Sequence, residues 1–180
     1  MKFPNNTNNT VHGIWNTTAG GDSTPETSGY YMGSYWPTQP PQTVFDNVYS
    51  SNYCSYGICN YTYAATQCGV NTGLYLTLNS GPFTLVAFYF VTGHISLRDP
   101  MTITIEGSSL NGSALAFGSS WTLIYNGTTG LAVDPGRSKL GALQIVPNSQ
   151  MRFASYRLLV TSKRGIESCV EYGEFMMIGY

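Results

Sequence analysis

Candidate chemistry in this chain begins with two histidines and nine acidic residues. His12 lies in a polar, Asn- and Thr-rich stretch and His94 in the turn Thr92-Gly93-His94, and neither has a partner at a spacing that nucleophilic or zinc chemistry uses. A nucleophile elbow, a phosphate loop and a His-Glu-x-x-His helix are all absent. Glu171 and Glu174 are close in sequence, but on a strand their odd separation sends them to opposite faces, so they do not make a glycosidase pair. The expectation is a protein that is not an enzyme.

The residues with clearer chemistry are modification and cross-linking residues. Asn-X-Ser/Thr acceptors stand at Asn5, Asn8, Asn16, Asn60, Asn111 and Asn126, each in a turn or polar stretch. With only 9% charged residues, attached glycans would supply the solubility that charge normally provides. Cys54, Cys59, Cys68 and Cys169 form an even set without Cys-x2-Cys pairs or nearby histidines, which points to two disulfides in an oxidising compartment and away from zinc. Four cysteines allow three connectivities; Cys59 with Cys68 and Cys54 with Cys169 is the favoured one. The expected location is extracellular or cell-surface, as a secreted chain. Met1-Lys2-Phe3-Pro4 leads into Asn and Thr with no apolar leader core, so the numbering is expected to start within a processed or truncated chain.

Length and composition suit one sandwich-sized domain: 180 residues, 42% hydrophobic, net charge -1. The eight basic residues look scattered, which argues against nucleic acid and anionic membrane surfaces as partners. No apolar run reaches the ~18–20 residues of a membrane span.

The elements that must position these residues read as strands. Met101, Ile103 and Ile105 alternate with Thr102, Thr104 and Glu106 between Pro100 and Gly107, the period of a strand with one buried face. Residues 119–127 repeat the pattern with Trp121, Leu123 and Tyr125 on one face and end in an Asn126-Gly127 turn signal. Residues 156–165 repeat it again, with Leu158 and Val160 inward. Further strands are expected over residues 74–78, 83–91 and 140–146. In residues 83–91 both faces are apolar apart from Thr84, and in the last segment Val170, Tyr172, Met176 and Ile178 share one face while Phe175 and Met177 share the other. A two-layer sandwich covers one face of each sheet, so this surplus must be covered by loops or by another molecule.

Residues 1–43 differ: rich in Asn, Thr, Gly, Ser and Pro, without periodicity, yet carrying Trp15, Tyr30, Tyr31, Tyr35 and Trp36. They are expected to form a glycosylated N-terminal arm preceding a domain at 44–180. Such a segment buries too little of its own apolar surface to offset its ordering cost, so it should lie either on its own sandwich or along a neighbouring subunit.

The order Arg98-Asp99-Pro100, strand, Glu106-Gly107-Ser108, then Trp121-Thr122-Leu123, then Tyr156-Arg157-Leu158, closed by residues 168–180, resembles the discoidin or coagulation-factor type C domains within the galactose-binding-like β-sandwiches. The resemblance covers about residues 44–180 and implies an all-β, jelly-roll-like antiparallel sandwich bearing the extended arm. It implies that Arg98 and Asp99 brace the sandwich. It also implies a calcium option near the domain start, for which Asp46 and Asn47 are the candidates, no other cofactor being expected.

Two functions follow from different classes. In one, the chain is a structural glycoprotein that assembles with copies of itself into a filament or surface layer, the arm aromatics docking on outward-facing Val86, Phe88, Phe90, Phe175 and Met177. In the other, which the resemblance implies, it is a carbohydrate-binding or adhesion module whose partner is an extracellular glycan.

Overall fold

The computed structural model describes residues 9–147 and 150–180. Among the described residues twelve strands run in order: β1 (Thr10–Trp15), β2 (Thr24–Pro25), β3 (Thr27–Ser28), β4 (Ser34–Tyr35), β5 (Tyr53–Ser55), β6 (Thr72–Thr77), β7 (Leu85–Thr92), β8 (Pro100–Ser108), β9 (Thr122–Thr128), β10 (Gln144–Ile145), β11 (Ser155–Lys163) and β12 (Val170–Gly179). They form two six-stranded sheets, β2-β1-β6-β11-β8-β9 and β10-β7-β12-β5-β4-β3. All pairings are antiparallel except the short β3–β4 pair.

The first sheet follows the alternation of its sequence. Ile105 opposes Leu158 and Ile103 opposes Val160, while Leu158 also faces Leu74 across β6; all are buried between the sheets. Met101 is half-buried at the strand's start. The expectation for β9 needs correction. A register shift between Ile105 and Glu106 breaks the alternation, leaving Leu123 51% exposed and putting Trp121 outside the main core. Asn126-Gly127 is not a turn: β9 continues through Thr128, with Asn126 opposite Thr104.

The second sheet resolves the apparent surplus of apolar residues. A register shift between Tyr172 and Phe175 in β12 adds one residue at Gly173–Glu174, so that Val170, Tyr172, Phe175 and Met177 all enter one core. Phe175 packs 5.5 Å from Phe88 and 5.2 Å from Phe90, centroid to centroid. Phe88, Phe90, Phe175 and Met177 are each 0% exposed and Val86 is half-buried, which removes the outward docking surface expected from the sequence. Glu171 and Glu174 are both buried, as neighbours of the same bulge.

The described part of residues 1–43 is no separate arm. β1 is an interior strand of the first sheet, pairing with β6 from Thr10↔Thr77 to Ile14↔Gly73, and β3 and β4 extend the second sheet through β5. The division at residue 43 is therefore corrected, and the partner that orders this segment is its own sandwich. Residues 16–24 cross the outer face of the first sheet and are fastened by a buried ion pair. Arg157 Nε donates to Glu106 Oε2 at 2.7 Å; Glu106 Oε1 accepts from Gly20 N at 2.8 Å; Arg157 Nη1 donates to Gly21 O at 2.8 Å and to Ser23 Oγ at 2.9 Å. Trp121 lies under the guanidinium, 4.8 Å from ring centroid to Cζ. Each charge-assisted bond contributes about 1.5–3 kcal/mol, which offsets the ordering of a strap with few apolar side chains.

The disulfides join Cys59 to Cys68 and Cys54 to Cys169. The second ties β5 to the entry of β12 across 115 residues of sequence, a closure worth on the order of 4–5 kcal/mol. Among the described residues no helix is long and apolar enough to cross a membrane.

Candidate functional site

Four polar or aromatic regions emerge from this scaffold, and they differ in what they can do. The first is an aromatic platform built from the β3–β4 connection and residues 56–63. Gly33 makes the connection possible: its φ is +77° and a Cβ there would lie 2.5 Å from Trp15 Cε2. Gly33 N donates to Gly57 O at 2.8 Å, Tyr61 N to Tyr30 O at 3.3 Å and Trp36 N to Cys54 O at 2.9 Å, which lock the two loops together. The Tyr30 ring stands edge-on to Trp36 (5.2 Å, 90°) and steeply inclined to Tyr61 (5.8 Å, 65°). Trp36 packs below on Cys54, Tyr56 and Cys169. Tyr30, Tyr31, Tyr61 and Tyr63 remain 48%, 55%, 58% and 53% exposed. Few buried neighbours explain such a cluster, and both disulfides stiffen its base. Rigid tyrosines offer apolar ring surface with a hydroxyl at the rim and lose little entropy on binding. Beneath them, burial pushes the Tyr56 hydroxyl up to about 12, and that hydroxyl has no hydrogen-bond partner.

The second region is the end of the sandwich where residues 93–99, 130–139 and 163–169 meet. Arg98, Arg137, Lys163 and Arg164 all make their side-chain contacts here. Asp99 accepts from Arg137 at 2.8 and 3.0 Å and from Arg164 at 3.3 Å, while Arg98 bonds Glu167 at 3.1 Å and Glu171 at 3.0 Å. Lys163 Nζ donates to the Ala65 and Glu167 carbonyls, and burial pulls its pKa down to about 8. Arg98 and Asp99 thus brace the fold, each with partners far along the chain and not with each other. Glu171 also takes the His94 backbone N–H at 2.6 Å, and the Asn52 amide contacts the His94 ring at 2.9 Å. With these charges paired, the end is a clamp. Cys54, Cys169 and Glu171 lie close enough to suggest metal ligands, but the two sulfurs are joined in a disulfide.

Third, Asp46 meets Glu174. Ser51 Oγ sits among Asp46 Oδ1 (2.9 Å), Asp46 Oδ2 (2.8 Å), Val48 O (2.7 Å) and Thr43 O (3.4 Å), four acceptors around one hydroxyl proton. Burial first, and the Asp46 carboxylate second, push Glu174 up to about 8, and Glu174 Oε2 has no partner. An oxygen-only set with two carboxylates and converging carbonyls fits a hard cation such as calcium, which would neutralise both acids. The backbone of Asn47 serves the carboxylate and not the cation: it adopts φ +62°, and its N–H and that of Val48 are donors aimed at Glu174.

The fourth region is an open groove on the outer face of the first sheet, a cavity of about 540 Å³ continuing into one of about 210 Å³, with His12 and Tyr75 shared by both. At its deeper end lies Glu26, whose chain is half-exposed but whose carboxyl is enclosed. The Tyr53 hydroxyl touches Glu26 Oε2 and donates to Gly73 O at 2.8 Å, and Ser55 Oγ reaches Glu26 Oε1. Burial pushes Glu26 up to about 8. Tyr53 has one proton, so a neutral Glu26 that donates to it satisfies the whole chain of groups.

Sequence reasoning missed Glu26 and the Glu106–Arg157 pair. A carboxylate in a polar segment and an outward position on a strand both look solvent-exposed; only the strap and the second sheet enclose them. Asn16, Asn60, Asn111 and Asn126 are exposed, as glycan attachment requires, while Asn5 and Asn8 lie outside the described residues. Of the aromatics expected at an interface, Trp15, Tyr35 and Trp36 are half-buried in the molecule's own packing, and Tyr30 and Tyr31 are exposed.

No protein-family model matches the sequence, and no curated protein does. Solved structures do match in three dimensions. A family 32 carbohydrate-binding module (CBM32) of Clostridium perfringens, in complex with GalNAc-β-1,3-galactose, superimposes with a TM-score of 0.59 at 10% identity over 99% of this chain and 100% of its own. The family 32 module of Clostridium perfringens NanJ, in complex with galactose, gives 0.58 at 11% identity, covering 97% and 95%. An F5/8 type C domain from Bacteroides fragilis gives 0.56 at 10% identity, covering 78% and 80%. The fold is the galactose-binding-like β-sandwich. In this discoidin-like sandwich residues 9–43 belong to the fold, since β1 to β4 pair within its two sheets.

Proposed function

We propose that the protein is a non-catalytic, extracellular carbohydrate-binding module that holds a neutral pyranose on the Tyr30–Tyr61 platform. The observation that carries this reading is the set of exposed tyrosine rings on a disulfide-braced base. A pyranose has an apolar face of C–H groups that packs on an aromatic ring and an equatorial rim of hydroxyls that hydrogen-bonds beside it, and the platform offers both kinds of contact. The sandwiches it resembles, at 10–11% identity, were solved with galactose and with GalNAc-β-1,3-galactose, which makes these the first ligands to test. Two disulfides and four exposed glycan acceptors support secretion, and we read those acceptors as glycosylated. The filament reading loses its main support, because the strands that were to receive the arm are interior.

Isothermal titration of the secreted protein with galactose, GalNAc and the disaccharide tests the proposal. Tyr30→Ala and Tyr61→Ala, both at exposed positions, should each weaken binding about tenfold while leaving the melting temperature near that of the parent. Binding unchanged in both variants, or no binding across a glycan array, refutes it.

A further inference from the structure

The His12–Tyr75 groove is lined by a glycan acceptor of the same chain. Its wider part is bounded by Thr10, His12, Tyr75, Thr77, Asn111 and Ser113, with Leu115 at the base. This lining contains no carboxylate and no fixed cation; it is a strip of uncharged hydrogen-bonding groups around an aromatic pair. The pair is preorganised: His12 lies 4.9 Å from Tyr75 at 30°, and Trp121, held by Arg157, backs Tyr75 at 6.0 Å. Asn111 caps the short 3-10 helix Gly112–Ala116 in an extended conformation (φ -147°, ψ 177°), followed by Gly112 at φ +60° with open space where a Cβ would be. It is exposed and begins the acceptor tripeptide Asn111-Gly112-Ser113.

We propose that the glycan on Asn111 folds back into this groove, its first N-acetylglucosamine packing against His12 and Tyr75. The inference rests on the reading of Asn111 as glycosylated. Three features of the structure select this occupant. The tether is part of the lining, so the sugar meets the groove as an intramolecular ligand at an effective concentration that a free glycan does not reach. The lining holds no carboxylate, lysine or arginine, and the sugar is uncharged. The cavity, about 540 Å³, is in the size range of sites that enclose a small organic ligand. The glycan would close the groove to other ligands and cover the sheet face beside the strap, so that Asn111 acts on stability as well as on solubility.

A mutant cycle on protein from a eukaryotic secretory host tests this. Peptide mapping first reads occupancy at Asn111; an unmodified Asn111 overturns the proposal at its premise, visibly and before any stability comparison. With Asn111 occupied, Asn111→Gln should lower the melting temperature by about 2–4 °C in the parent. In the His12→Ala and Tyr75→Ala backgrounds the same change should cost less than about 1 °C. His12 is exposed, so its variant remains informative if Tyr75→Ala folds poorly. Magnetisation transfer between the first N-acetylglucosamine and the Tyr75 ring protons is expected. Occupied Asn111 with equal melting shifts in all three backgrounds overturns the proposal, as does absence of that transfer.

Discussion

Glu26→Gln should flatten the pH dependence of stability. Glu26 has an ordinary value of 4.5 and is pushed up to about 8 by burial in the fold. Below pH 4.5 folded and unfolded chains both hold the proton. Between pH 4.5 and about 8 the folded chain keeps it while the unfolded chain releases it, so stability falls as pH rises; above about 8 the dependence ends. The slope from one such group approaches about 1.4 kcal/mol per pH unit, so raising the pH from about 5.5 to about 7.5 should cost the wild type roughly 2–3 kcal/mol through Glu26. Glutamine does not titrate and can replace the neutral acid: its amide donates to the Tyr53 hydroxyl and its oxygen accepts from Ser55. Urea denaturation of parent and variant across this range, with chelator present throughout so that Glu174 contributes equally to both, measures the difference. Parallel stability curves would refute the claim that Glu26 is neutral in the fold. A flatter curve that lies below the parent's already at pH 5.5 would show that Glu26 is neutral in the fold but that its hydrogen bonds fail with an amide.

Two further outcomes are expected. Calcium should raise the melting temperature, more strongly at pH 8 than at pH 6 because protons compete for Glu174, and Glu174→Gln should abolish the shift; a shift unchanged in that variant places the ion elsewhere. Arg157→Met should strand the Glu106 carboxylate beneath the strap and cost about 3–5 kcal/mol. Limited proteolysis would then cut within residues 16–24 before any other loop, and an intact strap in the variant would show that the ion pair does not hold it.

Strand alternation in residues 101–105 and 158–160 was legible because those strands pair in regular register and set Ile103, Ile105, Leu158 and Val160 into the core between the sheets, and the ordered motifs from Arg98 to Tyr180 were enough to indicate the sandwich. Alternation misled wherever a bulge intervened. One inserted step at Gly173–Glu174 reverses the faces that follow, which turned core residues Phe175 and Met177 into an apparent outer surface, while in β7 both alternating faces are apolar, so alternation did not tell that Phe88 and Phe90 point inward. The first 43 residues misled for another reason. Their composition describes a segment with little apolar area, whereas what holds residues 9–43 is a strand ladder with β6 and a buried ion pair whose members lie far away in sequence.

What the sequence determined by itself was therefore local or compositional: strand periods, the even cysteine set and the exposed acceptor tripeptides, all properties of neighbours along the chain. Only tertiary structure decided which aromatics stay outside, which carboxylates become neutral and which arginines meet. Burial and pairing of those groups depend on enclosure by segments that sequence separates, and an electrostatic environment is a property of the enclosure, not of the residue.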